Sequence, residues 1–136
     1  MWTIFPHTSI AAFDVEEEGV AGGGRMYMVS TLFPGDSPDT SVTVQNFLAM
    51  FEVTDELRPS IEARQKFLLH VVRDEDYFTG NRIQQAVKTG AKSEFLFGRN
   101  EIGGQRFHGW VDRLIAAEGD DDFAQVMATA EVAFQR

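Results

Sequence analysis

The sequence predicts an α+β fold: an antiparallel meander of about three strands followed by C-terminal helices. Met26, Met28 and Ser30 alternate with Tyr27, Val29 and Thr31, the period-two signature of a half-buried strand. Beyond Pro59, Ile61, Leu68 and Val72 recur at helical spacing, with Phe67 and Val71 beside them. Glycine- and proline-dense connections separate the first three apolar stretches, so strands come first and helices last.

The first strand spans residues 2–14, with Trp2, Ile4, Ile10 and Phe13 among β-branched residues, and is broken at Pro6, which cannot donate to a ladder. Glu16-Glu17-Glu18-Gly19 through Gly22-Gly23-Gly24 forms a hairpin connection, since glycine enters positive φ at little cost. No Lys-Ser/Thr follows the triple glycine, so it is not a phosphate loop. The second strand closes at Leu32-Phe33, Pro34 to Asp39 forms a turn, and a third strand covers Ser41 to Val53. Pro59 suits the first position of a helix, which reaches the acidic cluster Asp74-Glu75-Asp76. A second helix from Asp76 to Lys88 stops at Thr89-Gly90, where a glycine C-cap is favoured. Phe95-Leu96-Phe97-Gly98 reads as a buried loop and Gln105 to Ala117 as a helix. Asp122, with Gln125 three residues on, opens a last helix to Phe134.

A chain of 136 residues is one domain's worth, so residues 1–136 are read as a single domain. Its net charge of −9 argues against nucleic acid and anionic membrane as partners. With no cysteine it has no disulfide, thiolate metal site or cysteine nucleophile, and it suits a reducing cytoplasm. No apolar run approaches a membrane span, and the N-terminus lacks a signal-peptide pattern; a cytoplasmic location is expected.

The acidic cluster is the feature that asks for an explanation, because three consecutive carboxylates repel one another unless water or a cation screens them. Glu75-Asp76, then four residues, then Asn81-Arg82-Ile83-Gln84 resembles the acidic segment near the end of the catalytic domain of Rieske-type non-haem iron aromatic-ring-hydroxylating oxygenases, in their large (α) subunit. Ile4 to Ile10 is similar to that family's Phe-Pro-Asn strand, with His7 in the place of Asn. Phe95 to Glu101, and Gln105-Arg106-Phe107-His108-Gly109-Trp110, are similar to its final loop and helix. The likeness runs to Ala117 and identifies the chain with the C-terminal portion of that catalytic domain.

The resemblance implies a partial helix-grip (Bet v 1-like, START-like) fold and an oxidoreductase lineage. It implies dioxygen activation at mononuclear Fe(II), a small aromatic substrate, and a role in aromatic hydrocarbon catabolism. It places Asp76 as the carboxylate of a two-His, one-carboxylate site, with Asn81 where the family has Glu. The chain departs from the family in lacking the Rieske cluster, which needs two cysteines. It also lacks two closely spaced histidines, having only His7, His70 and His108. Alone it is therefore expected to be incomplete for catalysis, to hold no iron, and to associate with itself or a completing chain. No catalytic residue is assigned. Read from the residues alone, His70 and Asp74 share a helix face at i, i+4 and, with Asp76, form a second set of candidate metal ligands. Met26, Met28 and Met50 are candidate linings of an apolar substrate pocket. His108 is expected to pack as a structural residue. The alternative reading is a metal-free small α+β protein that binds an apolar ligand or a protein partner.

Overall fold

The computed structural model describes residues 1–133, with side chains through residue 129. Phe134, the expected end of the last helix, lies outside the described residues. The chain divides into two units, Met1–Ser93 and Glu94–Arg136.

In the first unit, four antiparallel strands pair in chain order: β1 (Trp2–Ile4), β2 (Thr8–Val15), β3 (Gly24–Pro34) and β4 (Ser41–Ala49). This is the expected meander with its first stretch divided. Pro6 breaks the ladder, the chain reverses over Phe5-Pro6-His7 through a cis Phe5–Pro6 bond, and Trp2 pairs with Ile10. The last strand stops at Ala49 rather than Val53. The glycine-rich connection leads from β2 into β3, where Val15 pairs with Gly24. Gly23 has φ +91°, and a Cβ there would lie 2.4 Å from the Val15 carbonyl oxygen, so no other residue fits without moving backbone.

Register sorts the side chains onto two faces. Phe13, Met26 and Ala49 stand in one cross-strand row, and Ala11, Met28 and Phe47 in the next. This inner face carries the core, in which Val15 and Met26 pack with Leu57 and Ile61. Met26 is 2% exposed and Leu57 0%. The outer face presents Trp2, Ile4, Val42, Val44 and Leu48 to solvent.

Across the inner face lies one long helical rod: α1 (Arg58–Val71), a π-helical segment (Val72–Tyr77) and α2 (Phe78–Lys88). Pro59 stands in the first turn as expected. The acidic cluster does not divide two helices; it lies inside the π-helical segment of a continuous rod. That segment changes which side chains meet the sheet. A π-helix takes about 4.4 residues per turn against 3.6, so six residues unwind the rod by about 110°. In an uninterrupted α-helix Gln84 would stand about 140° from buried Ile61; the unwinding brings it to about 30°. Tyr77 likewise moves from about 160° to about 50°.

The contacts agree with this arithmetic. The Tyr77 hydroxyl hydrogen-bonds the Thr43 hydroxyl on β4. Gln84 Nε2 donates to Asp39 Oδ1 at 3.2 Å, and Lys88 Nζ pairs with Asp39 Oδ2 at 2.6 Å in the β3–β4 connection. At the opposite end the Ser60 hydroxyl donates to Glu17. The rod is thus tied to the sheet at both ends.

The second unit holds α3 (Ile102–Ile115) and α4 (Asp120–Ala133). Each begins before the expected residue. Glu101 accepts from the Gly98 N–H, and Gln105 Nε2 donates to the Gly98 carbonyl at 2.8 Å, which draws the loop onto the start of α3. Asp122 lies inside α4 and accepts from the Glu118 N–H at 3.2 Å, reaching back to the chain just ahead of the helix. The Phe95 to Gly98 stretch is a loop, but an exposed one: Phe95 is 58% and Leu96 89% exposed. Only Phe97 packs, against Gly104 and His108.

The Asp39 clasp makes stability pH-dependent. Hydrogen bonds from Lys88, then Gln84, hold the Asp39 carboxyl below its ordinary 3.8. A folded-state value below the unfolded one stabilises above pH 3.8 and loses that contribution as pH falls through the folded value. Asp39→Asn should therefore lower the urea midpoint at neutral pH, and the gap from the parent should narrow as pH falls below 3.8.

Candidate functional site

The site is built on the π-helical segment, where the expected metal ligands separate onto two sides of the rod. Measured from Ile61, Asp76 stands at about 30°, on the sheet side, whereas His70 and Asp74 stand at about 180° and about 165°. Asp76 has no hydrogen-bond or ion-pair partner among the described residues. Its side chain is exposed.

His70 and Asp74 do meet, as their spacing implies, with Nδ1 to Oδ2 at 2.5 Å. Asp74 is also gripped by Arg73, whose Nε and Nη2 each donate at 2.8 Å to separate carboxylate oxygens. The Arg73 hydrogen bond is the main reason the Asp74 carboxyl titrates below its ordinary range, ahead of the charges of Arg73 and His70. A cation entering between His70 and Asp74 would have to displace that guanidinium. Among the described residues no three His, Cys, Asp or Glu side chains gather as a metal-holding group.

The other histidines lie elsewhere. His7 sits in the β1–β2 turn, its carbonyl accepting from Leu32 N–H at 2.9 Å and its Nδ1 3.4 Å from the Thr8 hydroxyl. His108 is on α3, its ring 5.1 Å from that of Phe97 and 5.6 Å from that of Phe107. Of the three methionines, Met26 and Met28 are buried side by side on the inner face. Met50 is bonded through its N–H to the Arg25 carbonyl, so it has the opposite parity to Met26, and it is 69% exposed.

The inner face changes character along its length. Beneath α1 it is apolar, through Phe13, Met26, Phe47 and Ala49. Further toward Tyr77 the same parity carries Ser9, Ser30, Gln45 and Thr43, all half-buried. Gln45 Nε2 donates to Ser30 Oγ at 3.2 Å and to Met28 Sδ at 3.5 Å. This polar floor and the Tyr77–Thr43 bond were not among the expected site residues. The signal was present in β4, where polar and apolar residues share the inward parity of Thr43, Gln45, Phe47 and Ala49.

Comparison with known protein families matches residues 1–117 to the ring hydroxylating alpha subunit (catalytic domain). The chain belongs to this family. The match covers all four strands, the rod and α3, and so includes every stretch on which the resemblance was drawn. An oxygenase catalytic-domain sequence, and with it an oxidoreductase class, follows for the matched residues. No curated protein and no solved structure matches the chain. No helix among the described residues is long and apolar enough to cross a membrane.

Because Arg73 occupies Asp74, Arg73→Ala should tighten Zn²⁺ binding at the His70–Asp74 pair. Isothermal titration calorimetry should show that gain in the variant and its loss when His70→Ala is added. Equal binding with and without Arg73 would contradict the blocking role.

Proposed function

We propose that this chain is the C-terminal part of a helix-grip catalytic domain that hydroxylates an aromatic ring with dioxygen at mononuclear Fe(II), and that Asp76 is its contribution to the metal. The carrying observation is that Asp76, alone of the cluster's three carboxylates in standing close to the Ile61 direction, is also uncommitted, while Asp74 is turned away and paired. Family membership supports the reading, since residues 1–117 match the catalytic domain. The sheet with a rod tied across one face supports the helix grip, and the match running through both units supports a single domain.

The residues present do not by themselves fit an iron site. A facial triad takes two imidazoles and a carboxylate, and His7, His70 and His108 lie at a β-turn, on the far side of the rod and on α3. Two further imidazoles have to come from polypeptide outside these residues. The electrons have to come from a Rieske cluster on such polypeptide as well, since its two cysteine ligands have no counterpart here. A cytoplasmic setting, in which cysteine-free chains lose nothing, suits this chemistry.

We also infer that the chain works in an assembly, with a second copy or a completing chain. It exposes 10946 Å². Two separate folded bodies of the lengths of its two units would expose about 8,500 Å² together. The outer sheet face and the rod expose large apolar side chains, among them Trp2, Val42, Leu48, Phe67 and Ile83. Sedimentation velocity at micromolar concentrations should find species larger than one chain; a monomer throughout would overturn the inference.

Free imidazole can stand in for the missing histidines. Anaerobic Fe(II) retained after gel filtration should rise with added imidazole for the parent chain. In Asp76→Asn it should fall by more than about tenfold, because even outer partners of metal ligands are worth about 10–100-fold. Equal retention in parent and variant would remove Asp76 from the site.

A further inference from the structure

The inner face beneath the π-helical segment carries half-buried Ser9, Ser30, Gln45 and Thr43 beside Leu32, where a helix-covered sheet is ordinarily apolar, and a half-buried polar group is the informative exception. Gln45 is the centre of it. Its amide nitrogen is spent on Ser30 and Met28, at 3.2 and 3.5 Å. Its carbonyl oxygen accepts nothing among the described residues. No buried side-chain oxygen or nitrogen among them lacks a partner, so this carbonyl is open to the space above the sheet. A hydrogen-bond acceptor held by its own amide end and left open at the other is set to receive a donor from outside the chain.

Tyr77 defines the height of that space. Its side chain spans the distance from rod to sheet and ends on the Thr43 hydroxyl. Thr43 is two residues from Gln45 on the same face of β4, and Asp76 is Tyr77's neighbour on the rod. An aspartate is several ångströms shorter than a tyrosine, and the exposed Asp76 carboxyl has no partner on the strands among the described residues.

We propose that Gln45, fixed by Ser30, selects an aromatic ring bearing a hydrogen-bond-donating substituent, a hydroxyl or an amine, over the bare or methylated ring. The selection rests on the reading of the Asp76 side of the rod as the reaction site. The donor of the ring substituent meets the Gln45 carbonyl, and the ring lies between the floor and the rod, alongside Tyr77. No bond to carbon is made or broken in this step; it sets which substrate is held and which ring edge is presented.

The test is a two-dimensional ¹H–¹⁵N NMR titration of the whole chain, without metal, using phenol and its near-isostere toluene. Phenol should shift amides at Ser30, Thr43, Gln45 and Tyr77. It should bind roughly three- to tenfold more tightly than toluene, the range a single neutral hydrogen bond supplies. Gln45→Leu should erase that preference while amide dispersion in the rest of the chain shows the fold intact. Should Gln45→Leu unfold the chain, Ser30→Ala, which removes the acceptor that orients the amide, should reduce the preference by itself. Equal binding of the two probes, no binding of either, shifts confined to other surfaces, or a preference that survives the substitution would each overturn the proposal. Because the titration contains no metal, its failure leaves the role of Asp76 standing, and a failed Fe(II) experiment leaves Gln45 standing.

Discussion

The winding of the rod between Val72 and Tyr77 is the constraint on which the rest of the first unit depends. Sheet register alone decides which strand residues face inward, but it cannot decide which helical residues meet them. Ile61 is committed to the core at one end, and Asp39 offers its carboxylate at the other. A uniform α-helix cannot satisfy both, because Gln84 would then point well away from the sheet. The π-helical turns reconcile the two ends by bringing Tyr77 and Gln84 round to the sheet side. Asp76 lies on that side in either winding, at about 60° from Ile61 in a plain α-helix and about 30° here, and His70 and Asp74 lie on the other.

The anchors stand toward the two ends of the rod. The core lies under the start of α1, and the clasp lies under the end of α2. Between them come Leu68 and Val72, half-buried on the sheet side of the rod, and then Tyr77, whose hydroxyl bonds Thr43. The core is small, with Val15, Met26, Met28, Leu57 and Ile61 as its buried apolar residues.

Much of this was legible in the sequence, and the gaps have physical causes. Period-two alternation located β3 and the presence of β4, though not which face of β4 turns inward, and Pro59 located the start of the rod. Residues 2–14 were read as one interrupted strand because local propensity is strand-like on both sides of Pro6; reversal at that proline is a property of the chain path, not of composition. The apolar spacing ends one helix near the cluster and opens another at Asp76, whereas solvent and Arg73 accommodate the charges inside one rod. Loop exposure around Leu96 was missed because an apolar run carries no record of what will cover it. The family resemblance singles out Asp76, and plain helical spacing from Ile61 already puts it on the sheet side; the winding that brings Tyr77 and Gln84 to the sheet is what no residue pattern announces.

The π-helical segment has one further consequence. Removing one residue from it, and winding the remaining five as plain α-helix, would leave Gln84 about 40° from Ile61, nearly where it stands now. The six-residue segment is therefore equivalent, for everything that touches the sheet, to an α-helix carrying one inserted residue. Such an insertion is absorbed locally, within two turns, and the anchors on either side do not register it. Length differences of a single residue among relatives would fall most easily in this stretch, next to Asp76, where the same slack changes the height and angle at which that carboxylate is offered.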